Sequence, residues 1–168
     1  MKHETTDSII RHFLYPSAIL VSTEPCEITT ILGSCVAVCL FDPVLSIGGI
    51  THFMLPLWNG NGLESPKYGN VAIDKLISKI TVLGCQSGHL VAKVFGGGEI
   101  LSQNGAQFNI GKRNIEIALE ILKGKKIPVV SSSLGGNLGR KIIFRTHTGE
   151  VKHFYIKKIL PCPKVLTP

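Results

Sequence analysis

At 168 residues the chain has the length of one domain, enough to bury about two thirds of the surface its unfolded form exposes. A composition of 44% hydrophobic and 17% charged residues, with 18 Gly and 9 Pro, excludes a disordered segment and suits a loop-rich, strand-containing globule better than a helical bundle. The net charge of +7 is local, since residues 1–111 hold 6 Lys/Arg against 8 Asp/Glu while residues 112–168 hold 12 against 3. Such a lopsided surface is either a solvated face or a patch that steers an acidic partner. It lacks the interleaved aromatic and basic residues that a single-strand nucleic-acid binder needs.

Residues 1–17 read as a mixed lead-in, 18–160 as a single domain and the Pro-rich 161–168 as a tail. Ala18 to Ser22 and Ile28 to Leu32 are short apolar stretches that read as strands. Gly33 and Ser34 then introduce Val36 to Phe41, rich in β-branched residues, and Asp42-Pro43 turns the chain into Ile47 to Leu55, a hairpin signal. A Gly/Asn/Ser/Pro loop between Leu57 and Lys67 carries Trp58. From Val71 to Leu83 the residues Ile73, Leu76, Ile77 and Ile80 keep helical spacing, with Asn70 a candidate N-cap and Gly84 a stop.

Leu90 to Phe95 reads as a buried strand ending in Gly96, Gly97 and Gly98. A second helix is expected from Arg113 to Lys123, burying Ile115, Ala118, Leu119 and Leu122 and stopping at Gly124. Ile127 to Val130 and Ile142 to Arg145 are further strands around the run from Leu134 to Gly139, and Thr148-Gly149 turns into a last strand, Val151 to Ile156. Strands in excess of helices, several joined by hairpin-type turns, argue for α+β layers and against a Rossmann sheet.

Five cysteines, at 26, 35, 39, 85 and 162, include no CxxC pair, which leaves a structural zinc site without support and fits free thiols in a reducing cytoplasm. Phe13 to Val21 is too short, and too broken by Pro16, for a secretion core. Gly96 to Gly98 lacks the GK[ST] of a P-loop and no GxGxxG follows a strand, so the glycine runs read as turns in preference to nucleotide sites.

Chemistry concentrates on the expected hairpin. If its strands pair around Asp42 to Ser46, opposed residues have numbers summing to about 87 to 89, and an odd sum puts Cys35 and His52 on one face. At 87 they are directly opposite and at 89 diagonal. A thiol gains nucleophilicity from an imidazole that takes its proton, and backbone N–H groups around Gly33 and Ser34 could hold an oxyanion. The pattern alone leaves Cys35 open between nucleophile and packed core thiol, which is the reading for Cys39.

Six ordered blocks then carry a resemblance: Leu32 to Pro43, His52 to Pro56, Lys67 to Ile73, Ala92 to Gly98, Ile110 to Asn114 and Gly135 to Arg140. Across about Ile19 to Val151 the chain resembles the CheD family, chemoreceptor glutamine deamidases of bacterial chemotaxis. The resemblance implies a Cys-His-Thr triad falling on Cys35, His52 and Thr29, with Thr30 adjacent, and no metal or organic cofactor. It implies a layered α/β/β fold similar to the catalytic domains of cytotoxic necrotizing factors. Its implied partners are methyl-accepting chemoreceptors as substrate and a CheC-type phosphatase as regulator. Asn70 stands where that pattern has aspartate, and Gly98-Glu99-Ile100 where it has Gly-Ala-x-Met. The competing classes are a regulatory binding module of the same fold and a basic nucleic-acid-binding domain.

Overall fold

A computed structural model describes residues 8–100 and 109–157. The tail at 161–168, Cys162 included, lies outside the described residues. Among those residues the order is β1 (Ile10–Phe13), β2 (Ile19–Ser22), β3 (Cys26–Leu32), β4 (Val36–Asp42), β5 (Ile47–Phe53), α1 (Gly69–Val82), β6 (Val91–Gly96), α2 (Ile110–Gly124), β7 (Val129–Leu134), β8 (Gly139–Arg145) and β9 (Val151–Ile156). They form two mixed sheets, β1-β3-β8-β9 and β2-β5-β4-β6-β7. The result is a strand-rich α+β sandwich.

Two apolar clusters define its layers. Val36, Val38, Leu40 and Phe53 pack against Ile73, Leu76 and Ile80 of α1 and Ala118 and Leu122 of α2. Ala37, Cys39, Ile50 and Phe95 turn the other way, onto Ile28, Leu32, Ile142 and Phe144 of the second sheet. The five-stranded sheet is therefore covered on both faces. That is why β4 and β5 read as continuous apolar runs where a half-exposed strand would alternate. Each fully buried Val, Leu, Ile or Phe side chain contributes about 1.5–3 kcal/mol to this packing.

Gly48 and Gly49 of β5 are needed for the close approach of the layers. A side chain on Gly48 would collide with Thr146, and one on Gly49 with Val21 and Leu76.

The expected α+β layering holds, with informative differences in detail. The lead-in contributes a strand: β1 pairs in parallel with β3, yet its four side chains are exposed, so no apolar alternation announces it and backbone pairing alone places it. Asn70 does not cap α1, whose N-cap is Tyr68 without a side-chain bond. Its amide instead accepts from the Trp58 N–H and donates to the Trp58 carbonyl, fixing the loop before the helix. Helix α2 starts at Ile110, and its buried residues are Gly111, Asn114, Ala118 and Leu122. Leu119, expected inside, is 37% exposed, because the buried stripe lies one residue around the helix, on the line that passes through a polar Asn.

The chain passes between the sheets at both β3–β4 and β7–β8. β3 and β4 belong to different sheets, so Gly33, Ser34 and Cys35 form the crossing between them. The run from Gly135 to Leu138 makes the corresponding crossing from β7 to β8.

Candidate active site

Three turns interlock at one end of the sandwich. The Gly97 N–H donates to the Cys35 carbonyl (2.9 Å) and the Gly98 N–H to the Gly33 carbonyl (2.9 Å). The Gly135 N–H reaches Gly96 O, and the Glu99 N–H reaches Gly136 O. Gly96 and Gly97 hold φ of 110° and 70°. A side chain at Gly96 would strike the Cys35 carbonyl, and one at Gly97 would strike Ile115. The strict glycine requirement therefore lies in this supporting turn. At Gly33 an added Cβ would stand 3.1 Å from the flexible end of Ile100, a tighter fit but no backbone necessity.

The third carbonyl of the crossing, that of Ser34, accepts from Asn114 Nδ2 at 3.0 Å. Carbonyl and N–H point in opposite directions across a trans peptide. Holding the Gly33, Ser34 and Cys35 carbonyls toward α2 and the glycine turn thus sends the next N–H groups the other way. Among the described residues, none of the turn hydrogen bonds is donated by the Ser34 or Cys35 N–H. Donors of this kind, already oriented, suit a developing oxyanion.

His52 is 2% exposed on β5. Ala37 is its partner across the β4–β5 ladder, where Val36 meets Phe53, a register summing to 89. Cys35 lies one residue before β4, where continuing that register would make it a diagonal neighbour of His52 on the same face. Such neighbours stand about 7–8 Å apart in a regular ladder, within reach of a ring. No hydrogen bond joins thiol and imidazole; Nε2 has no partner among the described residues.

The other ring nitrogen is held. His52 Nδ1 lies 2.8 Å from Thr30 Oγ1, and that hydroxyl also lies 2.7 Å from the Leu14 carbonyl. A carbonyl only accepts, so the single hydroxyl proton goes to Leu14 and the hydroxyl accepts from Nδ1–H. The ring is therefore the Nδ1–H tautomer, with the Nε2 lone pair open. Thr29, the threonine that the resemblance selects, is not the one bonded to His52. Along β3 the even-numbered residues Ile28, Thr30 and Leu32 are fully buried while Thr29 is half-exposed, so strand alternation turns the two hydroxyls to opposite faces.

Burial sets the electrostatics. It lowers the His52 pKa from 6.5 to about 4 and raises that of Cys35, partly offset by the Cys35 backbone N–H. Both shifts favour the neutral forms, thiol and imidazole, which suits general-base activation on attack. Among the described residues no group of three or more His, Cys, Asp or Glu side chains converges to hold a metal.

The family model for CheD chemotactic sensory transduction matches residues 54–154. The chain belongs to the CheD family. It is 52% identical over 151 residues to the probable chemoreceptor glutamine deamidase CheD of Trichlorobacter lovleyi, covering 90% of this chain and 94% of that one. The protein of the same name from Sulfurimonas denitrificans is 46% identical over 151 residues, with 88% and 96% covered. That of Rhodospirillum rubrum is 41% identical over 145 residues, with 86% and 82% covered. In this CheD-family chain Leu14 and Asn114 are the site's contributors that sequence reasoning missed. Leu14 acts through a backbone atom that no side-chain motif can show. Asn114 closes one of the six blocks that carry the resemblance, with no role attached to it there, and its place on the buried line of α2 shows only in the structure.

Proposed function

We propose that this protein deamidates glutamine side chains of methyl-accepting chemoreceptors to glutamate, in the cytoplasm, with Cys35 as nucleophile and His52 as base. The observation that carries this is the Nε2, unpartnered among the described residues, of a buried, tautomer-fixed imidazole, on the face to which continuing the β4–β5 register would turn Cys35. Further support comes from the deamidase names of relatives that span most of both chains. Thr30 takes the orienting role that the resemblance gave to Thr29, and Gly33 and Ser34 frame the oxyanion donors. The α/β/β layering agrees with a likeness to cytotoxic necrotizing factor catalytic domains. The catalytic unit is residues 18–160, to which Leu14 of the preceding segment adds its carbonyl. A CheC-type phosphatase is the regulatory partner the family resemblance suggests.

His52 Nε2 takes the Cys35 thiol proton as sulfur attacks the carboxamide carbon of glutamine, and the carbonyl oxygen becomes an oxyanion facing the Ser34 and Cys35 N–H groups. When the tetrahedral adduct collapses, its C–N bond breaks, Nε2–H protonates the departing NH₂, ammonia leaves and a thioester remains. Water then gives a proton to Nε2 while its oxygen attacks the thioester carbon. Expulsion of the Cys35 sulfur, which recovers that proton, leaves glutamate.

Intact-mass analysis of a purified receptor cytoplasmic fragment tests this, since each glutamine converted adds about one dalton through replacement of NH₂ by OH. Wild type is expected to give the shift and Cys35→Ala none. Conversion by Cys35→Ala would end the nucleophile assignment.

A further inference from the structure

Helix α2 presents Gly111, Asn114, Ala118 and Leu122 to the interior. Three of these are small or apolar, and the fourth is a carboxamide with 0% exposure. Its Nδ2 donates to two carbonyls from separate segments, Ser34 O in the β3–β4 crossing and Met54 O just after β5, each at 3.0 Å. Its Oδ1 is buried with no partner among the described residues. The reverse amide orientation would set Oδ1 against both carbonyl oxygens, so the two contacts fix the assignment. A buried acceptor left unpaired lowers stability, and an apolar residue would pack here at no such cost. The arrangement makes sense as geometry imposed on the two segments it joins.

Those segments are the ones that chemistry would use. Ser34 O belongs to the peptide whose other end is the Cys35 N–H, and Met54 lies two residues after His52. We propose that Asn114 is a positioning residue for deamidation: by holding the Ser34 carbonyl it aims the Cys35 N–H at the oxyanion, with the Met54 carbonyl as the second anchor that fixes its amide. The role rests on Cys35 being the nucleophile proposed above. Gly97 and Gly98 hold the flanking carbonyls of Cys35 and Gly33; Asn114 is the side chain that holds the middle one. Without it the central peptide of the crossing is free to rotate.

Alkylation of Cys35 by iodoacetamide separates orientation of this peptide from general damage. In that displacement the sulfur–carbon bond forms as iodide leaves, and no oxyanion appears. Deamidation needs the oxyanion donor as well as the thiol. In Asn114→Ala, kcat for the receptor fragment is expected to fall about ten- to a hundredfold. KM and the Cys35 alkylation rate should stay within about threefold, because substrate contacts and the thiol are untouched. An unchanged kcat, or alkylation falling in step with kcat, would overturn the role.

Asn114→Asp supplies a second readout. A carboxylate cannot donate to two carbonyl oxygens but a protonated carboxyl can donate to one, so its kcat relative to wild type should climb as pH is lowered from 8 to 5. A flat ratio would count against the proposal. Cys35→Ala, assayed alongside, keeps the two ideas apart. Activity in Cys35→Ala defeats the nucleophile assignment, whereas an inactive Cys35→Ala beside a fully active Asn114→Ala defeats only the role of Asn114.

Discussion

Cys35 and Cys39 sit four residues apart, face the same interlayer and differ in almost everything that governs reactivity. Cys39 lies mid-strand opposite Ile50, 1% exposed among Ile28, Phe95 and Phe144, and burial drives its thiol far above the usual range. Cys35 lies just before β4 begins, half-buried, with a buried imidazole on the neighbouring strand. One thiol is a small hydrophobe in a closed layer. The other occupies the place where that layer opens into turns whose backbone groups are already oriented. On the proposed reading, reactivity belongs to the end of the sandwich more than to the residue type.

The sharpest way to break this contrast is to exchange the two positions' fates. Cys35→Ala should lower the deamidation rate by about 10⁴-fold or more, while Cys39→Ala should leave it within about twofold, measured by mass shift of the receptor fragment. Iodoacetamide mapping of the folded protein should modify Cys35 well before Cys39, whose thiolate is scarcely populated. Loss of activity in Cys39→Ala without loss of fold would show that the closed layer takes part in the chemistry.

His52 sharpens the comparison through pH. Its pKa falls from 6.5 in the unfolded chain to about 4 in the folded one, so the native state disfavours protonation. The stability this represents is complete above about pH 6.5 and is lost as pH falls toward 4, a change of about 3 kcal/mol. Thermal or urea unfolding between pH 7 and 4 should show that loss in wild type and a smaller one in His52→Gln. The acid limb of kcat/KM should lie well below pH 6.5 for the same reason, because the base stays neutral. An acid limb centred near 6.5 would mean that the ring is not desolvated in solution.

Much of the architecture was legible because it rests on side-chain patterns. The apolar runs of β4 and β5, the helical spacing of α1 and the turn at Asp42-Pro43 each declare themselves locally, and the Cys35–His52 relation follows from strand parity alone. The parts that escaped depend on backbone. β1 buries no side chain, so only its pairing with β3 reveals it. The Leu14 carbonyl carries no signature that composition can show, and the glycines at 96 and 97 announce a turn without saying which carbonyls it holds. The choice between Thr29 and Thr30 needed the phase of β3, and two adjacent threonines give none. With Ile28 and Leu32 known to face inward, parity selects Thr30.

That choice gives the smallest and most local test. Thr30→Val keeps the shape of the side chain and removes the hydroxyl linking His52 Nδ1 to the Leu14 carbonyl. Both groups would then be buried without a partner, at about 1–3 kcal/mol each, and the ring would be free to take the tautomer with its lone pair on Nδ1. Stability should drop by a few kcal/mol in urea unfolding, and kcat by about tenfold, since only part of the ring population presents a basic Nε2. Thr29→Val, on the opposite face of the strand, should change kcat by less than about twofold. Thr30→Ser, which restores the hydroxyl, should recover most of the rate. If Thr29→Val were the damaging variant and Thr30→Val the silent one, the phase of β3 and the tautomer deduced from it would both be wrong.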